Sequence, residues 1–477
     1  VKLKKIFLVL LLFFSTLLGL QFVINSNTVQ AGVQNSNYQM IAHSYDWGPA
    51  IDQVVINTDQ AVKSKDLNDQ TFTVNSSNPY IESTPREVTK AYLSDAQGKT
   101  VKSNSSNYLT LDLKVAPDLT ISDPFHYDNG ATKLNTQTKV QFQITQQNPL
   151  YSSTNKKISN FAPTPKSTDV SYPETKDFSK NYSFNYNDKH FGSQTLQYTY
   201  YQAPTNNKHA LIIWLHGQGE GGSDPNPISL EGNKVVALSQ NKIQSHFQNG
   251  ADVLVPQTRT FWLDTRINSY ANQGAFGSEG MGDQLIDTST YDGQIQRSRY
   301  EDSLTALIQS YLTSHPNIDR SRIYIGGCSN GGYMALRMMV KDPSKFSAAY
   351  ISSEAYMDKN ITDKQIDNIK DSSLWFIHAA NDPIVDPQQT TVPTYKRLLA
   401  AGAKDVHFTY LDDVHDQTGQ FKGSDGQPYQ YLGHYSWVNL LDDYAAPEFD
   451  GTQTQTNGAD TTMMSWLSTK TKTTTWK

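Results

Sequence analysis

Between Val33 and Gln147 apolar residues alternate with polar ones over short spans, in QVVINT, TFTVNS, KAYLSD, YLTLDLKV and VQFQIT. A period of two puts successive side chains on opposite faces of a strand, and the Asn, Ser, Asp and Gly clusters between the spans read as turns. DAQGKT, Asp95 to Thr100, is one such hairpin turn. The pattern predicts a small all-β sandwich over residues 32–149, with no titratable cluster of its own. Residues 150–180 are rich in Ser, Thr, Lys and Pro and lack periodicity, so they read as a linker.

From residue 181 to residue 477 the pattern changes. ALIIWLHG (Ala210 to Gly217) is a continuous apolar run, as in a strand buried on both faces. Helical spacing follows in NKVVALSQNKIQSHFQ, then a strand in ADVLVPQ, a helix in RYEDSLTALIQSYLTSH and a strand in RIYIGG. The alternation continues through GYMALRMMVKD (helix), FSAAYISS and LWFIHAA (strands), TYKRLLAAG (helix) and VHFTYLDD (strand). Strands alternating with helices imply right-handed crossovers and a mostly parallel sheet covered on both faces, so the second domain is α/β. In such sheets the chemistry collects at the carboxyl ends of the strands.

Length agrees with two domains, since 477 residues exceed what one ordinary core organises. A formal net charge of -6 supplies no basic face for phosphates, which excludes nucleic acid as a partner class. Lys2, Lys4 and Lys5 precede an apolar run from Ile6 to Leu20, and Val29-Gln30-Ala31 before Gly32 has the small-x-small character of a cleavage site. Residues 1–31 therefore read as a secretory signal peptide of a bacterial exported protein, with an uncleaved anchor as the alternative. After cleavage no stable membrane insertion is expected. A single cysteine leaves no intramolecular disulfide, so the cores alone hold the fold.

The stretch RIYIGGCSNGGYM carries the candidate chemistry. Gly327-Cys328-Ser329-Asn330-Gly331 fits G-x-S-x-G between a predicted strand and a predicted helix, the context in which that turn presents a nucleophilic serine. Glycine two places before and after would avoid collisions between the strained turn and its neighbours. Cys328 falls one place early and points back toward the sheet, which makes it a packing residue. A serine hydroxyl needs a base, and the base needs an orienting acid; both are expected after the serine, in loops following later strands. Asp382 is the first carboxylate past LWFIHAA and is preferred to Asp386, four residues on. Two histidines follow the last strand: His415 immediately, and His434 in GHYSW, where Gly433 would ease the loop toward the serine and Trp437 would pack beneath the ring. His434 is preferred. His378, His216 and His209 are read as packing or strand-end residues.

Acyl transfer also requires donors for an oxyanion. The backbone N–H of Asn330, after the serine, is one; the other is assigned to the glycine-rich HGQGEGG, with Gln218 first and Gly217 beside it. That loop lacks the Lys and Ser/Thr of a nucleotide site. The scattered histidines have no metal-ligand spacing, and no cofactor is expected.

These blocks, WLHGQGEGG, RIYIGGCSNGGYMAL, WFIHAANDPIV and YLGHYSWV, resemble α/β-hydrolases of the prolyl-oligopeptidase-like and polyhydroxybutyrate-depolymerase-like esterase group. The resemblance implies a Ser329, Asp382, His434 triad. REVTKAYLSDAQGK and YLTLDL are similar to the immunoglobulin-like N-terminal domain of secreted esterases in that group, and the Thr-rich end from Gly451 to Lys477 departs from it. The expected function is a secreted serine hydrolase cleaving carboxylic esters, with a small ester or an acylated glycan or aryl ester as substrate. A serine peptidase keeps the same triad, although about 115 residues of sandwich cannot form the propeller that gates oligopeptidases. An inert surface-binding protein is the third reading. QPYQYLGHYSW, RTFWLD and SEAYMD place aromatics in loops that either line a pocket or pack.

Overall fold

The computed structural model describes residues 36–264 and 298–477, apart from Ala131 and Asn457. The expected signal peptide lies outside them. All five alternating spans are strands: Gly48–Lys63, Phe72–Asn78, Val88–Ser94, Ser105–Leu113 and Gln141–Gln146. They form two sheets. One is five-stranded, in the order Thr164–Ser171, Asn37–Tyr45, Gly48–Lys63, Ser105–Leu113, Val88–Ser94; the other sets Phe72–Asn78 between Ile81–Arg86 and Gln141–Gln146. Met40, Val54, Leu109 and Leu111 from the first sheet and Phe72, Val74, Phe142 and Ile144 from the second share one buried core. The turn at Asp95 closes with Asp95 N to Lys99 O at 2.9 Å, and Gly98 supplies its φ of +82°.

Residues 150–180 differ from the expected bare linker. Leu150–Tyr151 pairs with Lys157–Ile158, and Thr164–Ser171 runs parallel to Asn37–Tyr45 as an edge strand, with a register shift between Tyr38 and Met40. An edge strand can be polar and can carry Pro165, because one row of its backbone groups needs no strand partner. Periodicity is therefore weak where the strand is real.

The second domain is built on an eight-stranded sheet. Its strands are β1 (Tyr182–Asp188), β2 (Gly192–Tyr201), β3 (His209–Leu215), β4 (Ala251–Gln257), β5 (Ile318–Cys328), β6 (Ala348–Ser352), β7 (Ser373–Ala379) and β8 (Val406–Leu411). The order is β1-β2-β4-β3-β5-β6-β7-β8, antiparallel over the first three strands and parallel from β4 onward. Every residue of β3 and β4 is buried, as continuous apolar runs require when helices cover both faces. Helices Glu301–Ser314, Asn330–Lys341 and Thr391–Ala400 fall where the sequence predicts them. The helix expected from NKVVALSQNKIQSHFQ is instead a 3₁₀ turn, Val235–Ser239, and one α turn, Asn241–Gln244, separated by the extended Gln240. Val235 to Leu238 are buried in succession, so this segment is enclosed and has no single apolar face to favour a long helix. The Thr-rich end belongs to the same core. Helix Met463–Ser468 sets Trp466 edge-on to Trp375 at 5.3 Å, and Trp476 meets Phe346 at 5.9 Å.

The two domains meet through polar and aromatic contacts. Lys234 pairs with Asp46 of the sandwich at 2.7 Å and with Asp442, and Trp47 lies edge-on to Phe421 with centroids 4.7 Å apart. A hairpin of Phe125–Tyr127 and Asn135–Gln137 reaches the loop after β3: Asn135 Nδ2 donates to Glu220 Oε1 at 3.2 Å and Gln137 Nε2 to Asp224 Oδ2 at 2.8 Å.

The Ser44 hydroxyl donates to the buried Glu231 across this junction. Burial pushes the Glu231 carboxyl up to about 8; the bond from Ser44 opposes the rise and the charge of Glu174 adds to it. A carboxyl whose pKa is raised by folding takes up a proton as the chain folds. Its contribution is thus complete below about 4.5, where the unfolded group ionises, and is lost as pH climbs toward about 8. Glu231→Gln stays neutral and still accepts from Ser44, so its melting temperature is expected to gain on the parent's between about pH 5 and about pH 8. A constant gap across that range would refute the assignment.

Candidate active site

Ser329 stands between β5 and the helix Asn330–Lys341 with φ 53° and ψ -115°, a conformation that side chains other than glycine rarely hold. Three backbone bonds fix it there: Ser329 N to Ser352 O at 2.9 Å, Tyr333 N to Ser329 O at 2.9 Å, and Ala355 N to Ser329 O at 3.3 Å. The flanking glycines are sterically obligatory. A Cβ on Gly327 would lie 2.2 Å from Leu215 O, and one on Gly331 only 1.9 Å from the same oxygen. Both obstacles are backbone, so the neighbouring strand end itself would have to move. Gly331→Ala is expected to cost about 3 kcal/mol or more of stability and to shift Ser329 out of register. Parent-like melting and a parent-like serine reactivity in that variant would contradict this packing.

Cys328 is fully buried against Trp214, Tyr350 and their neighbours, and its Sγ lies 3.5 Å from Asn233 Oδ1. Burial, aided by the charge of Glu220, pushes its thiol well above the ordinary range, so it holds no reactive thiolate.

Asp382 and His434 are brought together at the ends of their loops. His434 Nδ1 is 2.7 Å from Asp382 Oδ2, while Asp382 Oδ1 accepts the N–H groups of Ile384 at 2.8 Å and Val385 at 3.0 Å. Burial alone would raise the Asp382 carboxyl, but hydrogen bonds from His378 and His434 and the charge on His434 outweigh it and hold the group well below the usual carboxylate range. The His434 loop is anchored by Ser353, whose hydroxyl donates to His434 O at 2.9 Å, and Trp437 lies edge-on to the imidazole at 5.4 Å. Gly433 permits the approach, since a Cβ there would lie 2.2 Å from Asn381 Oδ1. Ser329 and His434 therefore both hang from the end of β6, one through Ser352 and the other through Ser353.

The alternatives occupy other places. His415 is exposed and pairs with Asp413 at 2.7 Å. Asp386 is exposed and uses its carboxylate on Gln388 N and Gln389 Nε2. His209 is buried against Asp252 at 2.9 Å. His216 accepts from Thr258 N at 3.1 Å, and burial drives its pKa down to about 4, so it remains neutral. His378 is the residue that sequence reasoning undervalued: its Nε2 lies 2.9 Å from the same Asp382 Oδ2 that His434 uses. The signal available for it was its place four residues before Asp382, as the next-to-last residue of β7.

The glycine-rich loop forms a 3₁₀ turn over Gln218–Glu220. The N–H groups that open a helical turn have no partner within it, and Gln218 and Asn330 each occupy that first position. Gly217 lies against the Glu220 carboxylate, where a Cβ on it would stand 2.9 Å from Glu220 Oε2. Burial raises Glu220 to about 7 against the bonds from backbone amides and Asn135. The Asn330 side chain is spent on the loop after β4, accepting from Trp262 N at 2.5 Å and Leu263 N at 3.3 Å. Trp262 is fully buried beside His216 and Tyr300, and Tyr356 packs on Tyr333, so these aromatics are core residues. Tyr435 is half-buried next to His434.

A family profile described as Esterase Ig-like N-terminal domain matches residues 37–159, and one described as Phospholipase/Carboxylesterase matches residues 284–422. The fold is an α/β-hydrolase core preceded by an immunoglobulin-like sandwich. The second match carries Ser329 and Asp382 and ends before His434. Among solved structures, one described as a thermostable esterase has a TM-score of 0.67 at 21% identity, covering 91% of this chain and 100% of its own. A ferulic acid esterase gives a TM-score of 0.34 at 14% identity over 50% of this chain and 91% of its own. The substrate-bound fluorophosphonate-binding serine hydrolase F of Staphylococcus aureus gives 0.32 at 15% identity, with coverage of 50% and 91%. No curated protein matches the chain in sequence.

Proposed function

We propose that this chain, an α/β-hydrolase preceded by an esterase-type sandwich, is a secreted serine hydrolase that cleaves carboxylic esters through an acyl-serine. The observation that carries the reading is Ser329 in its strained turn at the end of β5, with the Asp382–His434 pair two strands away at the same edge. Ser329 Oγ attacks the ester carbonyl while His434 Nε2 takes its proton. Asp382 holds the opposite ring nitrogen as N–H, which leaves Nε2 free to accept and stabilises the imidazolium that forms. The Gln218 and Asn330 amides receive the charge that develops on the carbonyl oxygen. His434 then returns its proton to the departing alcohol, and water, activated by the same nitrogen, releases the acid.

The blocks around these residues ally the chain with the prolyl-oligopeptidase-like and polyhydroxybutyrate-depolymerase-like esterases. A small acyl ester, or an acylated glycan or aryl ester, is the substrate class. No helix among the described residues is long and apolar enough to cross a membrane, which is compatible with export by residues 1–31.

A fluorophosphonate probe is expected to add one phosphonyl group, at the peptide carrying Ser329. A folded protein that the probe leaves unmodified would overturn the reading. Given p-nitrophenyl acetate, feruloyl esters and short peptides side by side, the enzyme should turn over the esters; peptide cleavage alone would make it a peptidase.

A further inference from the structure

Behind Asp382 the hydrogen bonds continue into the core. His378 is wholly buried, with Nε2 2.9 Å from Asp382 Oδ2 and 3.1 Å from Val385 O, and Nδ1 2.9 Å from Thr391 Oγ1. Thr391 Oγ1 is in turn 3.1 Å from Glu354 Oε1. Glu354 is wholly buried beneath the serine turn, where its Cα would lie 3.1 Å from a Cβ on Gly332, and its Oε2 accepts from Tyr356 N at 2.5 Å.

Counting protons along this line leaves one neutral arrangement in which every contact carries a hydrogen. An ionised carboxylate and a carbonyl only accept, so His378 Nε2 must carry the hydrogen that faces them. Burial, stronger than the opposing bond and charge of Asp382, lowers the His378 pKa and keeps the ring neutral. A neutral ring has one N–H, so Nδ1 is bare, and the single proton of Thr391 goes to this nearer acceptor, because turning it to Glu354 would leave Nδ1 buried and unpaired against an oxygen. With that proton committed, the Thr391 oxygen can only accept from its other neighbour. Glu354 must therefore bring a proton of its own.

The charged surroundings agree. Burial holds the Glu354 carboxyl well above its ordinary range against the hydrogen bonds it shares with Tyr356 N and Thr391, and Asp358 adds repulsion. The ionisable groups acting on His378 are Asp382 and His434. Moving the proton from Glu354 to His378 would keep the count but create two buried charges separated by a hydroxyl, which is costly.

We infer that Glu354 is a carboxylic acid at neutral pH and the terminal donor of a fixed relay, Glu354 to Thr391 to His378, that positions Asp382 for His434. The three are positioning residues and touch no substrate. Their effect on turnover rests on the proposed hydrolase reading; the protonation of Glu354 does not.

Infrared difference spectra between the parent and Glu354→Gln at neutral pH test it directly. The parent should show the deuterium-sensitive C=O stretch of a buried carboxylic acid that the variant lacks, and the subtraction removes Glu220 and Glu231. An ionised carboxylate signal instead would overturn the inference, whether or not the protein is an esterase. In turnover, Glu354→Leu is expected to lose about tenfold in kcat with KM unchanged, and Glu354→Gln, whose amide can donate to Thr391, to restore it. His378→Asn frees Asp382 of a competing donor, so its fuller charge favours the His434 imidazolium and moves the acid limb of kcat/KM to higher pH. A lower kcat with an unmoved limb would reduce His378 to a packing residue. An inactive parent that shows the carboxylic acid band would sink the esterase reading and leave Glu354 protonated.

Discussion

Ser329→Ala is expected to lower kcat on p-nitrophenyl acetate by about 10⁴- to 10⁶-fold, with the fold retained. The magnitude follows from what the hydroxyl supplies. Without it no acyl-enzyme forms, and only the donors proposed at Gln218 and Asn330 and the binding surface remain to assist water. Retention of the fold follows from the backbone, since the bonds that hold residue 329 run through its N–H and carbonyl. Glycine at the same place tolerates the positive φ better than alanine does, so Ser329→Gly should melt above Ser329→Ala by about 1 kcal/mol of stability while being equally inactive. An alanine variant within tenfold of the parent would remove Ser329 from the chemistry, and equal stability of the two variants would mean that the turn stores no strain.

Asp382→Asn is expected to cost about 10⁴-fold in kcat, with KM for short esters little changed. The carboxylate accepts four donors, two ring nitrogens on Oδ2 and two backbone amides on Oδ1. An asparagine presents one acceptor and one donor, so either orientation sets its NH₂ against hydrogens. If the carbonyl oxygen keeps the Ile384 and Val385 amides, the NH₂ faces both imidazoles and His434 adopts the tautomer with its proton on Nε2. That nitrogen then cannot take the serine proton. If the amide turns the other way, the loop after β7 loses its two anchors and the variant melts earlier. Stopped-flow ester hydrolysis together with thermal melts separates these outcomes, and a variant within tenfold of the parent by kcat would exclude Asp382 as the orienting acid.

The residues legible in the sequence are those whose position follows from one strand and its exit. Ser329 is announced by paired glycines at a strand-to-helix turn, Asp382 by being the first carboxylate past a buried run, and His434 by its glycine and tryptophan neighbours. What escaped are relations between segments. Glu354, Thr391 and His378 lie on three different elements, and nothing within any of them signals a shared proton line. The close approach of Gly217 to Glu220 depends on a carboxylate three residues on being folded under its own loop. The edge strand Thr164–Ser171 escaped because alternation marks strands with one buried face, and an edge of mixed exposure leaves a weak trace. The helix expected before β4 failed for the opposite reason, as four successive buried residues mark enclosure and not a helical face.

The hairpin that carries Asn135 and Gln137 bears on how separable the two halves of this protein are. It touches the loop after β3 across 85 residues of chain and backs the turn that begins at Gln218. Exchanging the sandwich for another module would withdraw the donor from Glu220 and the clasp from Asp224, and the turn beneath Gln218 would lose its outer support. The sandwich is thus less a cassette attached to an enzyme than a splint set against one of its working loops, and a shortened version of the protein inherits the serine without the brace.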